Sequence, residues 1–313
     1  MNKNLFDALQ VRFVKLRFTI AFSESSTLPK DKVSALRGGM GEMLLSMNCV
    51  RDRNCGVCDF EPECIVQRTL YSKFEKTPEF VTTDNSIGYI LECENYKEYF
   101  KQGETLDFNL ILFGKTIVNF YQFIQAFQAM GEQVGIGKYQ AKFQILKIRN
   151  IEGQPVLQDG LMCMDKFVIH SLYDYIMFRK YKMAMRKTEN KIVFHTPLTL
   201  KSNHEYLQEF QMEAVINAVK RRIYMLDCYE GIVDGSIYAC ESSEILEILH
   251  QDCRIMSISR YSSRKNQKMI LRGIKGYVLL PKIPPDLMDL LLAGELIHIG
   301  KNTSFGFGRY RII

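Results

Sequence analysis

No stretch of this sequence approaches the 18 consecutive apolar residues of a membrane-spanning helix. The first residues, MNKNLFDALQVRFVKLRF, place charges where a secretion signal needs an apolar centre, so the expected location is the cytoplasm. Histidine is scarce, at 5 residues, and proline nearly so, at 8. HExxH, GxSxG, paired-carboxylate and GxxxxGK[ST] signatures are missing, which removes the zincin, serine-hydrolase and P-loop classes. A strong charge of one sign is missing too. Forty-one basic against 35 acidic residues leave +6, which permits a nucleic-acid partner without arguing for one. What remains is ordinary globular composition, 47% hydrophobic and 24% charged, which excludes disordered and collagen-like chains. At 313 residues, two domains are expected.

The 9 cysteines are an odd total without a secretion signal, so no disulfide framework is expected. Five are scattered among mostly apolar neighbours and read as small buried hydrophobes. Cys49, Cys55, Cys58 and Cys64 fall together, spaced x5, x2, x5. Four thiolates suit the tetrahedral preference of zinc, but these arms are looser than those of a zinc ribbon. Structural zinc and unligated reduced thiols stand as equal readings; redox catalysis lacks a thioredoxin-like context.

Periodicity divides the chain into two similar halves. Leu16, Phe18, Ile20 and Phe22 alternate as a half-buried strand, and Val33, Leu36, Met40, Leu44 and Met47 follow at helical spacing. Strands are expected around Ile87–Leu91, Leu106–Leu112 and 139–149, with a helix from Ile117 to Phe127 closed by Gly131. The second half repeats the order: a strand at 191–200, a helix over 204–226, strands in CRIMSISRYSS and QKMILRGIKGYVLL, a helix at 284–293, and a last strand in FGRYRII. The segment 131–138 (GEQVGIGK) echoes 294–301 (GELIHIGK) at the same place in each half. The expected class is α+β, with tandem ferredoxin-like (RRM-like, βαββαβ) domains at 1–150 and 191–313. A segment at 151–190, with a helix near Leu172–Lys187, connects them, and a glycine-rich loop lies near the C-terminus.

Two segments carry residues suited to phosphate. In GELIHIGKNTSFGFGRY, Gly300, Gly306 and Gly308 would let backbone N–H groups approach an anion, with Lys301 and Arg309 as counter-charges. A turn-rich hairpin closing the sheet explains the same glycines. In RYSSRKNQKM, Arg260, Arg264, Lys265 and Lys268 cluster with Tyr261, as phosphate and base contact would need; a solvated hairpin loop is the bland equivalent. Among the histidines, His298 stands out by its place between Ile297 and Ile299 and near Lys301 and Arg309.

Several blocks together resemble the CRISPR precursor-RNA processing endoribonucleases of the RAMP superfamily. They are TPLTLK (196–201), VKRRIYML (219–226), SRYSSRKNQKM (259–269), GIKG (273–276) and GELIHIGKNTSFGFGRY (294–310). LRGGMGEML (36–44) and the four cysteines carry a weaker likeness in the first half. The resemblance implies metal-independent cleavage within a CRISPR repeat, and RNA contact through the glycine-rich loop. The partners it implies are precursor and guide RNA and effector-complex proteins, with no cofactor for catalysis, no membrane and no DNA. In such a reaction the 2′-hydroxyl attacks its own phosphate, leaving a 2′,3′-cyclic phosphate and a 5′-hydroxyl. The family pattern puts a histidine near the first helix, whereas this sequence has Arg37 there and no histidine before His170. The expected catalytic set is His298 as acid or base, Lys301 and Arg37 as phosphate stabilisers, and Tyr261 as a helper. A non-cleaving RNA-binding RAMP subunit is the alternative.

Overall fold

The computed structural model describes residues 9–71, 74, 77–78, 81, 86–185, 189–202, 205–231, 246–262 and 267–313. Backbone contacts divide the chain into two units: Phe13–Ile169, and Met1–Arg12 with His170–Ile313.

In the first unit the order is β1 (Arg12–Phe22), α1 (Val33–Asn48), β2 (Tyr89–Glu92), β3 (Thr105–Phe113), α2 (Phe120–Ala129) and β4 (Phe143–Arg149). The sheet runs β2-β3-β1-β4, all neighbours antiparallel. It continues through β5 (Pro155–Gln158) and β6 (Leu161–Met162), strands inside the segment expected to connect the halves. Alternation in β1 works as read: Leu16, Phe18, Ile20 and Phe22 are all buried. Phe18 stacks on Phe108 of β3 and meets Phe127 of α2, so one aromatic group ties the central strand to its neighbour and to a helix.

The second unit starts with α3 (Leu172–Ala184). It continues as β7 (Lys191–Leu198), α4 (Met212–Glu230), β8 (His250–Ser262), β9 (Gln267–Leu279), α5 (Pro285–Ile297) and β10 (Tyr310–Ile312). Its sheet runs β8-β9-β7-β10, again antiparallel. First, second, third and fourth strands of the βαββαβ pattern therefore occupy the same places in both sheets. Both units are ferredoxin-like.

The sequence echo extends to backbone conformation. Gly131 does not close α2; the helix widens into a π-turn over Met130–Val134 and stops at Gly135, where φ is 79°. In the second unit α5 stops at the corresponding residue, His298, with φ 53°. Two residues on, Gly137 and Gly300 have φ 72° and 81°. Gly131 is small for another reason: a Cβ there would stand 2.2 Å from the Phe143 carbonyl oxygen of β4. Gly294 presses on the last strand of its own sheet in the same way: a Cβ there would stand 2.0 Å from the Tyr310 hydroxyl.

Gly131→Ala is expected to lower stability by about 1–3 kcal/mol, the usual cost of overpacking. Gly38→Ala, in α1 with nothing within 4 Å of the added methyl, should raise it by up to about 1 kcal/mol. Urea midpoints that move together, or not at all, would contradict the close approach of α2 to β4.

Candidate RNA-contact site

The glycine-rich loop, residues 298–309, is held at both ends by one carboxylate. Glu295 of α5 is buried and accepts from Arg179 Nε at 2.6 Å and Nη2 at 3.0 Å, from Tyr175 Oη at 3.1 Å, and from the Ile312 N–H of β10 at 2.7 Å. Arg311 adds a donor to Tyr175 Oη at 3.1 Å. Burial, first, and the neighbouring Glu295 charge push the Tyr175 hydroxyl far above its ordinary range, so Tyr175 acts here as a donor. Glu295 is thus a structural clamp, not an acid or base for a bound substrate. At the C-terminus of α5, Arg222 Nε donates to the Ile297 carbonyl at 3.3 Å; complete burial lowers its pKa to about 10.

Between those anchors the loop docks on an irregular part of β7. The β7–β9 register shifts between Phe194 and Leu198, around Pro197, which has no N–H to give a ladder. The loop takes up the freed groups. Lys301 N–H donates to the Thr199 carbonyl (2.8 Å) and Gly308 N–H to that of Pro197 (2.9 Å). The Thr196 hydroxyl donates to the Gly306 carbonyl (2.7 Å) and accepts from the Arg309 N–H (2.9 Å). Gly306 N–H is used within the loop, on Thr303. The amides of Gly306 and Gly308 are therefore committed inside the protein. The two residues are glycine because φ is 75° and 69°, and because a Cβ at Gly308 would lie 1.8 Å from the Ile299 carbonyl oxygen.

His298 is fully buried, with Nδ1 3.2 Å from the Phe307 carbonyl oxygen across the loop. It is at the end of a helix in a left-handed conformation, not on a strand between two isoleucines. The imidazole is sealed from solvent and ties the two sides of the loop together.

Lys301 is exposed, and it has company that the sequence reading missed. Its Nζ lies 5.5 Å from the centre of the Tyr206 ring, and Lys201 Nζ lies 4.8 Å from the same ring. Tyr206 is 51% exposed, on a two-stranded ribbon that pairs Lys201 with Tyr206. Two ammonium groups and an open aromatic face form a surface suited to phosphate and base together. Lys201 closes the TPLTLK block; nothing in the sequence pointed to Tyr206.

Arg309 is half-buried beside β7. Lys268 is exposed on β9, and Arg260 and Tyr261 lie on β8, opposite Met269 and Lys268. Arg264 and Lys265 lie outside the described residues. Arg37 belongs to the first unit, on α1, where Nη2 donates to Ser86 Oγ at 3.1 Å. The four clustered cysteines also belong to the first unit. There they line one cavity of about 500 Å³, although no three metal-ligating groups among the described residues converge closely enough to share an ion.

Two ferredoxin-like units, the second with a glycine-rich loop before its last strand, define a tandem ferredoxin-like protein. Residues 9–167, just over half of the chain, match the family AF_1859_N, described as an N-terminal domain, and residues 192–310 match the CRISPR-associated endoribonuclease Cas6. The chain belongs to the first of these families, and its residues 192–310 are similar to the second. Among solved structures it is similar to a partial Cas6-RT-Cas1–Cas2 complex, with 13% identity, a TM-score of 0.57, and coverage of 97% of this chain and 46% of that one. It is also similar to a Cas6 product complex (12%, 0.54, 97% and 100%) and to Thermus thermophilus Cas6 (11%, 0.51, 97% and 99%). At these identities the likeness is one of fold. The chain spans 46% and 29% of the lengths of two Cas6-RT-Cas1–Cas2 chains it matches. No curated protein matches it. No helix among the described residues is long and apolar enough to cross a membrane.

Glu295→Gln would leave the buried Arg179 cation without its counter-charge and is expected to cost about 3–5 kcal/mol in denaturant unfolding. A loss below about 1 kcal/mol, the range of surface pairs, would show that the carboxylate is not the clamp.

Proposed function

We propose that the chain is an endoribonuclease that processes CRISPR precursor RNA by cutting within its repeats. The observation that carries this reading is the exposed Lys301–Tyr206–Lys201 group beside the glycine-rich loop of a unit that matches Cas6. The relatives' names support an RNA ligand and CRISPR protein partners: one structure is a Cas6 product complex and another contains RT-Cas1 and Cas2. No catalytic metal enters the proposed reaction. The RNA's own 2′-hydroxyl attacks the adjacent phosphorus, the bond to the 5′-oxygen breaks, and the products carry a 2′,3′-cyclic phosphate and a 5′-hydroxyl. Lys301 supplies positive charge for the phosphorane oxygens, and Tyr261 assists transfer of the proton lost by the 2′-hydroxyl to the leaving oxygen; Arg37, in the first unit, is a candidate phosphate contact of its own. His298 is a positioning residue that holds the loop through Phe307, a departure from the acid–base role its sequence position suggests.

A second reading keeps the RNA contact and drops the cleavage: a RAMP subunit that grips guide RNA. The burial of His298 favours it, because the histidine of the motif is not presented to a ligand. Repeat RNA incubated with the full chain in excess EDTA separates the two. One cut ending in a cyclic phosphate is expected; tight binding of several repeats with no cut would establish the gripping subunit instead.

Two further outcomes test the residue roles. Lys301→Ala is expected to slow cleavage roughly 10²-fold, and Lys201→Ala to flatten the salt dependence of binding by about one unit of slope. With His298 sealed, the rate between about pH 5 and 8 should show no imidazole inflection. A bell-shaped profile abolished by His298→Ala would return the histidine to the chemistry.

A further inference from the structure

The cysteine segment presents a packing problem. From Cys49 to Cys64 no residue is buried, and the apolar side chains Val50, Val57 and Phe60 are 72%, 60% and 64% exposed. Yet the segment is not without form. It makes two 3₁₀ turns, Cys55–Val57 and Glu61–Glu63, and holds consecutive non-glycine residues, Asp52 and Arg53, at φ 47° and 63°. Ordering sixteen residues costs backbone entropy at every position. Left-handed torsions at non-glycine positions add to that cost. The ion pairs present, Arg53–Glu42 and Arg68–Glu63, join exposed side chains and contribute little. Apolar burial cannot hold this segment in place.

The four cysteines line one cavity, although no three of them stand close enough to share an ion. Cys58 and Cys64 each follow a 3₁₀ turn, their N–H groups bonded back to Cys55 and Glu61 at 3.3 and 3.2 Å. Cys49 Sγ accepts the Arg53 N–H at 3.2 Å, closing the turn between them. All four thiols are free and line the same cavity of about 500 Å³, alongside Arg51.

We propose that Cys49, Cys55, Cys58 and Cys64 bind one thiophilic divalent cation, zinc, as a closed structural site that fastens this segment to α1 and to the short helix Ile65–Leu70. The ion draws the sulfurs inward to about 2.3 Å from a common centre, with release of the thiol protons. With four protein ligands no coordination position is open, so the ion takes no part in RNA cleavage and the site is independent of the proposed activity.

The test uses the full chain and reads metal, not cleavage. Expected are one equivalent of zinc in the purified protein by elemental analysis and, after exchange with cobalt, thiolate charge-transfer bands with tetrahedral d–d absorption. Cys58→Ser and Cys64→Ser should each lose the metal, whereas Cys163→Ser, in the same unit but outside the cluster, should keep it. Removing the metal from the unaltered protein should open residues 49–64 to protease, which keeps the proposal testable if a serine variant fails to fold. Protein that takes up neither zinc nor cobalt, that carries an iron–sulfur chromophore, or whose protease pattern ignores the metal would overturn it.

Discussion

One buried carboxylate sets the geometry of the second unit. Glu295 faces a guanidinium from α3, a phenol from α3 and a backbone amide from β10, so three elements distant in sequence share one charge. A carboxylate out of water is tolerated only when every lone pair is occupied, and here the occupants are fixed in direction. The glycine-rich loop leaves α5 three residues after this point and enters β10 two residues before the amide it holds. Its ends have little freedom left. The bulge at Pro197 does the rest, because it leaves carbonyls and a hydroxyl on β7 that only a closely applied backbone can reach.

The two units solve the same folding problem with one difference. Each stops its second helix at a left-handed residue and sets a glycine two positions later, and each presses a helix glycine onto its last strand. Where the first unit uses Gly135, the second uses His298. The histidine bears a torsion that glycine would adopt freely, and in exchange places a ring nitrogen against the far side of the loop. Strain at a single residue therefore goes with a loop that is tied across its own width.

Much of this was legible. Alternation identified β1, and the apolar core it feeds, because a half-buried strand leaves a period of two in the side chains; the long hairpin strands β8 and β9 were expected as the second and third strands of the repeated pattern. The duplicated segment pointed to tandem units before any coordinates did. Other features leave no periodic trace. β5 and β6 are too short to establish a period, so a connector was expected where the first sheet continues. Gly131 looked like a helix stop, although its role is clearance from the Phe143 carbonyl. His298, flanked by two isoleucines, imitated a strand residue facing outward. The comparison with Gly135 was the available sign that it is not one. Tyr206 gave no signal, since its partners Lys201 and Lys301 meet it only after the chain has folded.

The pair of lysines on one ring has a further consequence. Like charges held near one aromatic ring repel each other, and an incoming polyanion relieves that repulsion whatever its sequence. Such a surface rewards contact and is blind to letters: every base has a face to stack, and every nucleotide a phosphate. In the proposed reading, grip and choice are therefore separate tasks on this molecule. Discrimination between one repeat and another has to be exercised by groups other than Lys201, Tyr206 and Lys301.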